Sequence, residues 1–391
     1  MRTVLTAAKL LNGTSVVDHP AVLVEDGLIA SIHSRDNGVI PEARDGQVFD
    51  FPGATLAPAF LDIHIHGGSG HDVMEATPEA LTTMGRFLAR HGTGSYLATT
   101  VTAAMDATLR SLGGLAKLIA RAPDSSEPVT WPIGIHLEGP FLSHLKRGVH
   151  PPALLRAPDI AVFDRLFEAA EGHVRLMTLA PELPGAAELA AHATKLGVRV
   201  SIGHSNATAA ETRAVLAAGA VSATHTFNAM RALDHREPGI LGVVLTTDSL
   251  FAELICDGIH NTPEMVKIWW RCKGLERAIL ITDAMSAAGM PDGDYQLGGL
   301  TVQVANGMAT LGDVLAGSVL TLDKALTNFM EFTSATVEQG LRLLTANPAA
   351  MTGFGGTAGS LVVGGAANLV AVDSMGRLMA SFVNGILADS H

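Results

Sequence analysis

Cysteine is nearly absent: Cys256 and Cys272 are the only two in 391 residues. That excludes a secreted disulfide scaffold, and the pair lacks the CxxC spacing of a zinc ribbon or a thioredoxin-like site. A reducing compartment, the cytoplasm, is the expectation. Positive charge is also scarce, with 26 Lys and Arg against 38 Asp and Glu and a formal charge of −12. Such a field repels phosphodiester backbones and anionic lipid, so neither nucleic acid nor a membrane surface is expected as a partner. An anionic small substrate would need locally placed donors. Long apolar runs are missing too: none reaches the roughly 18 to 20 residues of a membrane span. The apolar start after Met1-Arg2 is broken by Lys9, Asn12 and Ser15, so no export signal is read there.

What the chain does have is enough length and apolar content, 48% hydrophobic residues, to bury a substantial core without staples. Residues 2 to 56 read as short strands, with a hairpin turning at Asp26-Gly27. From Leu56 onward, strand-like runs alternate with Ala/Leu-rich helical segments, the pattern of parallel strands joined by crossover helices. The runs are Ala59 to His64, Ser95 to Thr100, Ile133 to Leu137, Arg175 to Leu179, Arg199 to Ile202, Ala223 to Thr226, Ala252 to Ile255 and Ala278 to Ile281. Eight of them predict a (β/α)8 barrel of the TIM type. An open doubly wound sheet is the alternative, but no GxGxxG follows the first strand. After Asn347-Pro348, Ala367 to Val372 and Leu378 to Val383 return to strand character. The expected division is therefore an accessory β-sandwich domain made from residues 1–56 and 357–391, and a catalytic barrel over 57–356.

Ligand-type side chains fall at the carboxyl ends of these strands, the rim where barrel active sites are built. His64 and His66 close the first strand and, one residue apart, point to the same side of an extended chain. Glu138 closes the third, His204 follows the fifth, His225 lies on the sixth and Asp283 follows the eighth. Any one of them alone would read as a packed or surface residue. Together, six such groups on one rim would leave buried charge unpaired unless a cation organised them. Nitrogen and carboxylate donors without thiolate suit Zn²⁺, with Fe²⁺, Mn²⁺ and Co²⁺ as alternatives. Asp72, Asp313, Asp292 and Asp294 are read as loop and turn residues, and Lys146 and Arg147 as solvated charge first, with enrichment of the rim's positive charge as the alternative.

The stretches Asp62-Ile63-His64-Ile65-His66-Gly67-Gly68, His136-Leu137-Glu138-Gly139-Pro140-Phe141, Gly203-His204-Ser205-Asn206-Ala207-Thr208, His225-Thr226-Phe227-Asn228-Ala229-Met230, Arg236-Glu237-Pro238-Gly239, Asp257-Gly258-Ile259-His260 and Thr282-Asp283-Ala284 occur in this order. Through them the chain resembles the N-acetylglucosamine-6-phosphate deacetylases of the amidohydrolase superfamily over nearly its whole length. HxH is shared by many amidohydrolases, whereas EGPF, GHSNAT, FNAM and REPG are far more specific. The resemblance implies a barrel with an accessory β domain, a homodimer, and one metal held by Glu138, His204 and His225. Some members replace the second His of HxH and bind one metal. Here His64 and His66 are both intact, so a second metal with Glu138 bridging is open, and the fourth strand offers no Lys to take that bridging place.

Further implications concern the substrate, an amino-sugar phosphate. Asp283 would be the general base that deprotonates water and returns the proton to the leaving nitrogen, with a purely structural ligand role as the alternative. His150 resembles the residue that polarises the acetamide carbonyl. Arg236 would reach the phosphate bound in the neighbouring subunit, alongside backbone N–H groups near Asn228 and Ala229 and the side chain of His260. Galactosamine in place of glucosamine, cyclic-amide hydrolysis or deamination on the same barrel, and a metal-free scaffold remain the competing readings.

Overall fold

The computed structural model describes residues 2–38, 41–43, 46–121 and 126–388. Its larger sheet contains eight strands, here β1 (Phe60–Ile65), β2 (Thr93–Thr100), β3 (Trp131–Glu138), β4 (Val174–Leu179), β5 (Arg199–Ile202), β6 (Ala220–Ala223), β7 (Phe251–Ile255) and β8 (Ala278–Ile281), hydrogen-bonded in chain order. All seven neighbouring pairs are parallel. The strands are short and buried almost throughout because helices cover their outer face while side chains fill the inside.

Among the described residues no ladder joins β8 back to β1; an isolated bridge between Ile65 and Ala284, beyond β8, and a side chain close the seam. The fully buried carboxylate of Asp62 accepts the Thr282 hydroxyl at 2.5 Å and the backbone N–H of His64 at 3.2 Å, while Asp283 N–H donates to His64 O at 2.9 Å. The barrel is thus nearly closed, with its seam at the carboxyl end of β1.

Local sequence explains the covering helices. Helix α1 (Pro78–Arg90) begins with Thr77 accepting from Ala80 N–H and Pro at its first position, then buries Leu81, Met84 and Leu88. On the far side, Trp269 of the helix Pro263–Arg277 and Phe329 of the helix Leu322–Thr333 meet edge to face at 6.5 Å, both fully buried.

Strands from both chain ends form a separate sheet. Arg2–Asn12 lies between Pro20–Glu25, antiparallel, and Gln47–Pro58, parallel, and Gln47–Pro58 pairs in turn with Leu369–Val372. The sheet curls on a core that includes Leu5, Leu10, Val22, Ile29, Leu56, Leu369 and Phe382, and Leu28 meets Ala366 across the curl. The turn expected at Asp26-Gly27 is present, with φ of 48° and 80°, the paired positive values that a two-residue hairpin of this twist requires.

Two expectations need correction. The sixth strand is Ala220–Ala223 rather than Ala223 to Thr226. Past Ala223 the chain turns: the His225 backbone N–H meets the Glu253 carboxylate at 3.4 Å instead of a strand carbonyl, Asn228 N–H donates to His225 O at 3.0 Å, and His225 and Phe227 have φ of 29° and 80°. His225 therefore sits in a turn beyond the strand. The second concerns the segment after β8, where four short strands, Gly293–Leu297, Leu300–Ala305, Met308–Leu311 and Val314–Leu315, form an antiparallel sheet. Asp294, expected in a loop, lies on the first of them. This flap has its own core, including Leu297, Val302 and Val304 packed with Val101.

Candidate metal centre and active site

Three of the ligand-type residues occupy the left-handed region of backbone space: His204 at φ 45°, His225 at φ 29° and Asp283 at φ 51°. Each such position costs about 1–3 kcal/mol for a residue with a side chain and persists only where surrounding structure enforces it. Here the enforcement is hydrogen bonding from neighbouring strand ends. Asp283 is pinned to His64 O and Ser318 N, and the His204–Ser205 loop is held by Glu182, which accepts Ser205 Oγ at 2.7 Å and Asn206 N–H at 2.6 Å.

The six side chains converge in two groups, His64, His66 and Asp283, and Glu138, His204 and His225, the donor atoms in each lying within 4.8 Å of one another. Glu138 stands between them. Its Oε1 is 3.2 Å from Nε2 of both His204 and His225 and 3.4 Å from His64 Nε2, and its Oε2 is 3.3 Å from His66 Nε2. Asp283 Oδ1 lies 3.0 Å from His66 Nε2 and 3.4 Å from His64 Nε2. All six residues are buried.

The hydrogen bonds behind these rings decide which nitrogen faces inward. His66 Nδ1 is 3.0 Å from Thr99 O, His204 Nδ1 is 2.9 Å from Lys146 O and His64 Nδ1 is 3.3 Å from Glu253 Oε2. Carbonyl and carboxylate oxygens only accept, so each Nδ1 carries a hydrogen and each Nε2 is left to point at the centre. Nε2 of His204 and Nε2 of His225 face each other at 3.0 Å, and the buried His64 Nε2 has no hydrogen-bond partner. Nitrogens crowded in this way around carboxylate oxygens require positive charge between them. The electrostatics agree: burial opposes a charge on His66, but Asp283 and Glu138 outweigh it and raise its pKa to about 9. Burial likewise works against ionised Glu138, yet His64, His150, His204 and His225 hold its pKa well below the usual carboxylate range. A divalent cation in place of the protons satisfies the same demand, and the nitrogen and oxygen donor set fits one.

This centre floors a pocket of about 520 Å³, whose wall includes His150, Asn228, Ala229 and His260. Thr102 N–H donates to His150 Nδ1 at 3.3 Å, which leaves the hydrogen of a neutral ring on Nε2, 3.5 Å from Glu138 Oε2. Burial pushes the His150 pKa down to about 4, so the ring is neutral near pH 7 and still donates. Gly139 must be glycine to permit this: its φ is 93°, and a Cβ there would lie 2.0 Å from the Thr102 hydroxyl that contacts His150. His260 is oriented by Asp257, Nδ1 to Oδ2 at 2.6 Å; burial opposes a charge on its ring, but that contact outweighs it and raises the pKa.

Arg236 is not brought to this pocket. It is exposed, on the loop that precedes the helix Gly239–Thr246, with its backbone N–H donating to Asp234 Oδ1. Lys146 and Arg147, expected as solvated charge, are half-buried and line the pocket, as does Asp313 of the flap. The loop after β3 folds over the centre because His204 hydrogen-bonds to Lys146 O, which carries both cations inward. Sequence reasoning also passed over Asp62, Glu182 and Glu253. The legible signal for Asp62 and Glu253 was an acidic residue inside an otherwise apolar strand, Phe60-Leu61-Asp62-Ile63 and Phe251-Ala252-Glu253-Leu254.

Fold and site together define a (β/α)8-barrel hydrolase built around a candidate metal centre. The sequence model of the amidohydrolase family matches residues 55–388. An N-acetylgalactosamine-6-phosphate deacetylase of Escherichia coli O157:H7 is 39% identical over 99% of this chain and 100% of its own length. An N-acetylglucosamine-6-phosphate deacetylase of Vibrio furnissii is 35% identical over 97% of this chain and 94% of its own. The solved structure of the Mycobacterium smegmatis N-acetyl-D-glucosamine-6-phosphate deacetylase, in complex with N-acetyl-D-glucosamine-6-phosphate, superposes with a TM-score of 0.90 at 33% identity, covering 99% of each chain. The chain belongs to the amidohydrolase family and, within it, to the N-acetylglucosamine-6-phosphate deacetylases.

Proposed function

We propose that the protein hydrolyses the acetamide of N-acetylglucosamine 6-phosphate to glucosamine 6-phosphate and acetate in the cytoplasm, as a step in amino-sugar breakdown or recycling. The observation that carries this reading is the convergence of six ligand-type side chains, five of which, His66, Glu138, His204, His225 and Asp283, line one pocket, with neutral, hydrogen-donating His150 beside them.

Glu138, His204 and His225 would hold one divalent cation, Zn²⁺ before Fe²⁺, Mn²⁺ or Co²⁺, and His64 and His66, with Glu138, would hold a second. When bound, the cation supplies Lewis acidity that lowers the pKa of water towards about 7. Asp283 takes a proton from the attacking water as its oxygen bonds to the acetamide carbon. His150 Nε2–H donates to the carbonyl oxygen, which gains negative charge as the carbon becomes tetrahedral. Asp283 then passes its proton to the sugar nitrogen as the C–N bond breaks, which leaves acetic acid and a neutral amine, and the acid's remaining proton goes to the amine or to solvent to give acetate. At the other end, His260 and backbone N–H groups around Asn228 and Ala229 meet the phosphate. Arg236, exposed and outside its own pocket, serves the neighbouring site of a homodimer, where its planar fork donates twice to phosphate oxygens.

The test is acetate release from N-acetylhexosamines with and without the 6-phosphate, alongside metal content. Hydrolysis confined to the phosphorylated sugars is expected, and a protein that carries metal yet releases no acetate from any of them would sink the proposal. The galactosamine isomer is a second reading, favoured by the 39% identical relative that acts on it. The ratio of kcat/KM for the two epimers decides between them.

A further inference from the structure

One buried carboxylate in this region has no task in the scheme above. Glu253 is the middle residue of β7, has no solvent exposure and does not line the pocket. It lies behind the centre: Oε2 is 3.3 Å from His64 Nδ1 and 3.4 Å from the backbone nitrogen of His225, while Oε1 has no hydrogen-bond partner. Among the described residues, His64 is its sole ion-pair partner. Burying a carboxylate on such thin support is costly, and Ala252 and Leu254 beside it show that the strand packs with apolar side chains. The same carboxylate is the sole acceptor meeting His64 Nδ1 among the described residues. Without it the ring would have no hydrogen bond fixing its rotation, and Nε2 would no longer be directed at Glu138 and Asp283.

We propose that Glu253 is a positioning residue that orients His64 and thereby sets the cation affinity of the His64, His66 and Asp283 group, an inference that rests on the two-cation reading given above. A carboxylate behind a ligating imidazole fixes its tautomer and makes the opposite nitrogen a stronger donor, and its loss costs about 10- to 100-fold in metal affinity. Glu253 does this for one group of three. It meets the other group through the His225 backbone alone, so that group should be little affected.

The experiment is a metal titration of the stripped wild-type protein, Glu253→Gln, Glu253→Ala and, as the reference for an emptied first group, His66→Ala. Zn²⁺ is added against a chromophoric chelator, and the metal-free proteins are melted in parallel. Wild type should take two equivalents. Glu253→Ala should hold one as wild type does and bind the other about 10- to 100-fold more weakly, matching the pattern of His66→Ala. Glu253→Gln, which keeps an acceptor oxygen and loses the charge, should fall between. Melting temperatures of the metal-free forms should stay close together. Two wild-type affinities in both Glu253 variants would overturn the inference, and so would equal weakening of both equivalents together with a lower metal-free melting temperature, the signature of a packing residue. A wild type that takes fewer than two equivalents defeats the two-cation reading itself, and the wild-type titration alone distinguishes that failure.

Discussion

Asp283→Asn separates proton transfer from the rest of the site because the backbone at this position is held on both sides. Its N–H donates to His64 O at 2.9 Å and its carbonyl accepts from Ser318 N–H at 2.7 Å. Asn matches Asp in size and tolerates the left-handed conformation, φ 51°, that the position demands. With its amide oxygen in the place of Oδ1, 3.0 Å from His66 Nε2, the substituted residue keeps the geometry but has almost no affinity for a proton. General-base catalysis is worth roughly 10²- to 10⁴-fold, or about 2.7 to 5.4 kcal/mol in the barrier at 1.36 kcal/mol per tenfold. The expected result is a kcat lower by that factor, a KM near wild type and a metal content largely retained. Acetate release at saturating substrate gives kcat, and elemental analysis of the same preparation gives metal. A kcat within a few fold of wild type would refute the assignment. Parallel loss of metal and activity would make Asp283 a ligand first.

His204→Ala should lose metal and activity together, since His204 Nε2 is one of three donors around Glu138 Oε1; full metal retention with normal turnover would contradict the centre. Arg236→Ala should weaken transition-state binding of the phosphorylated substrate by about 2 to 4 kcal/mol and leave the unphosphorylated sugar nearly unchanged. In verified mixed dimers with a His204→Ala subunit, one working site should return, and no recovery would argue against donation across the interface. Lys273 tests stability rather than chemistry. Burial pushes its pKa down to about 8 from 10.5, so between those values the unfolded chain holds a proton that the native chain lacks, and stability rises with pH. Denaturant unfolding at pH 7, 8.5 and 9.5 should therefore show wild type gaining on Lys273→Met as pH rises above 8, and a difference independent of pH would count against it.

The barrel strands were legible because each is a short apolar run buried on both faces, and the rim was legible because imidazoles and carboxylates interrupt those runs at one end. Where the reading slipped, the deciding contact was distant in sequence. Ala223 to Thr226 reads as strand, with Thr224 and Thr226 β-branched, yet the His225 backbone N–H meets the Glu253 carboxylate instead of a strand carbonyl and the chain turns there with φ 29°. The flap carries turn signals at Gly298-Gly299 and Asn306-Gly307, but its strands are short and half polar, without an apolar run to announce them. Lys146 and Arg147 look like solvated charge in isolation, and the hydrogen bond from His204 to Lys146 O is what brings them to the pocket. The left-handed φ values at His204, His225 and Asp283 leave only a weak trace in residue type, since His and Asp enter that region more readily than most side chains but occupy ordinary backbone far more often.

The pairing of Gln47–Pro58 with Leu369–Val372 joins two segments that lie on opposite sides of the whole barrel in the chain. Until Leu369–Val372 docks, that side of Gln47–Pro58 has no strand beside it, and its Leu56 and Ala57, fully buried in the folded protein, lie on an open strand edge, the kind of surface that recruits other chains. A chain whose barrel has formed while Leu369–Val372 is undocked should therefore still aggregate, so this strand protects its partner as well as completing the sheet.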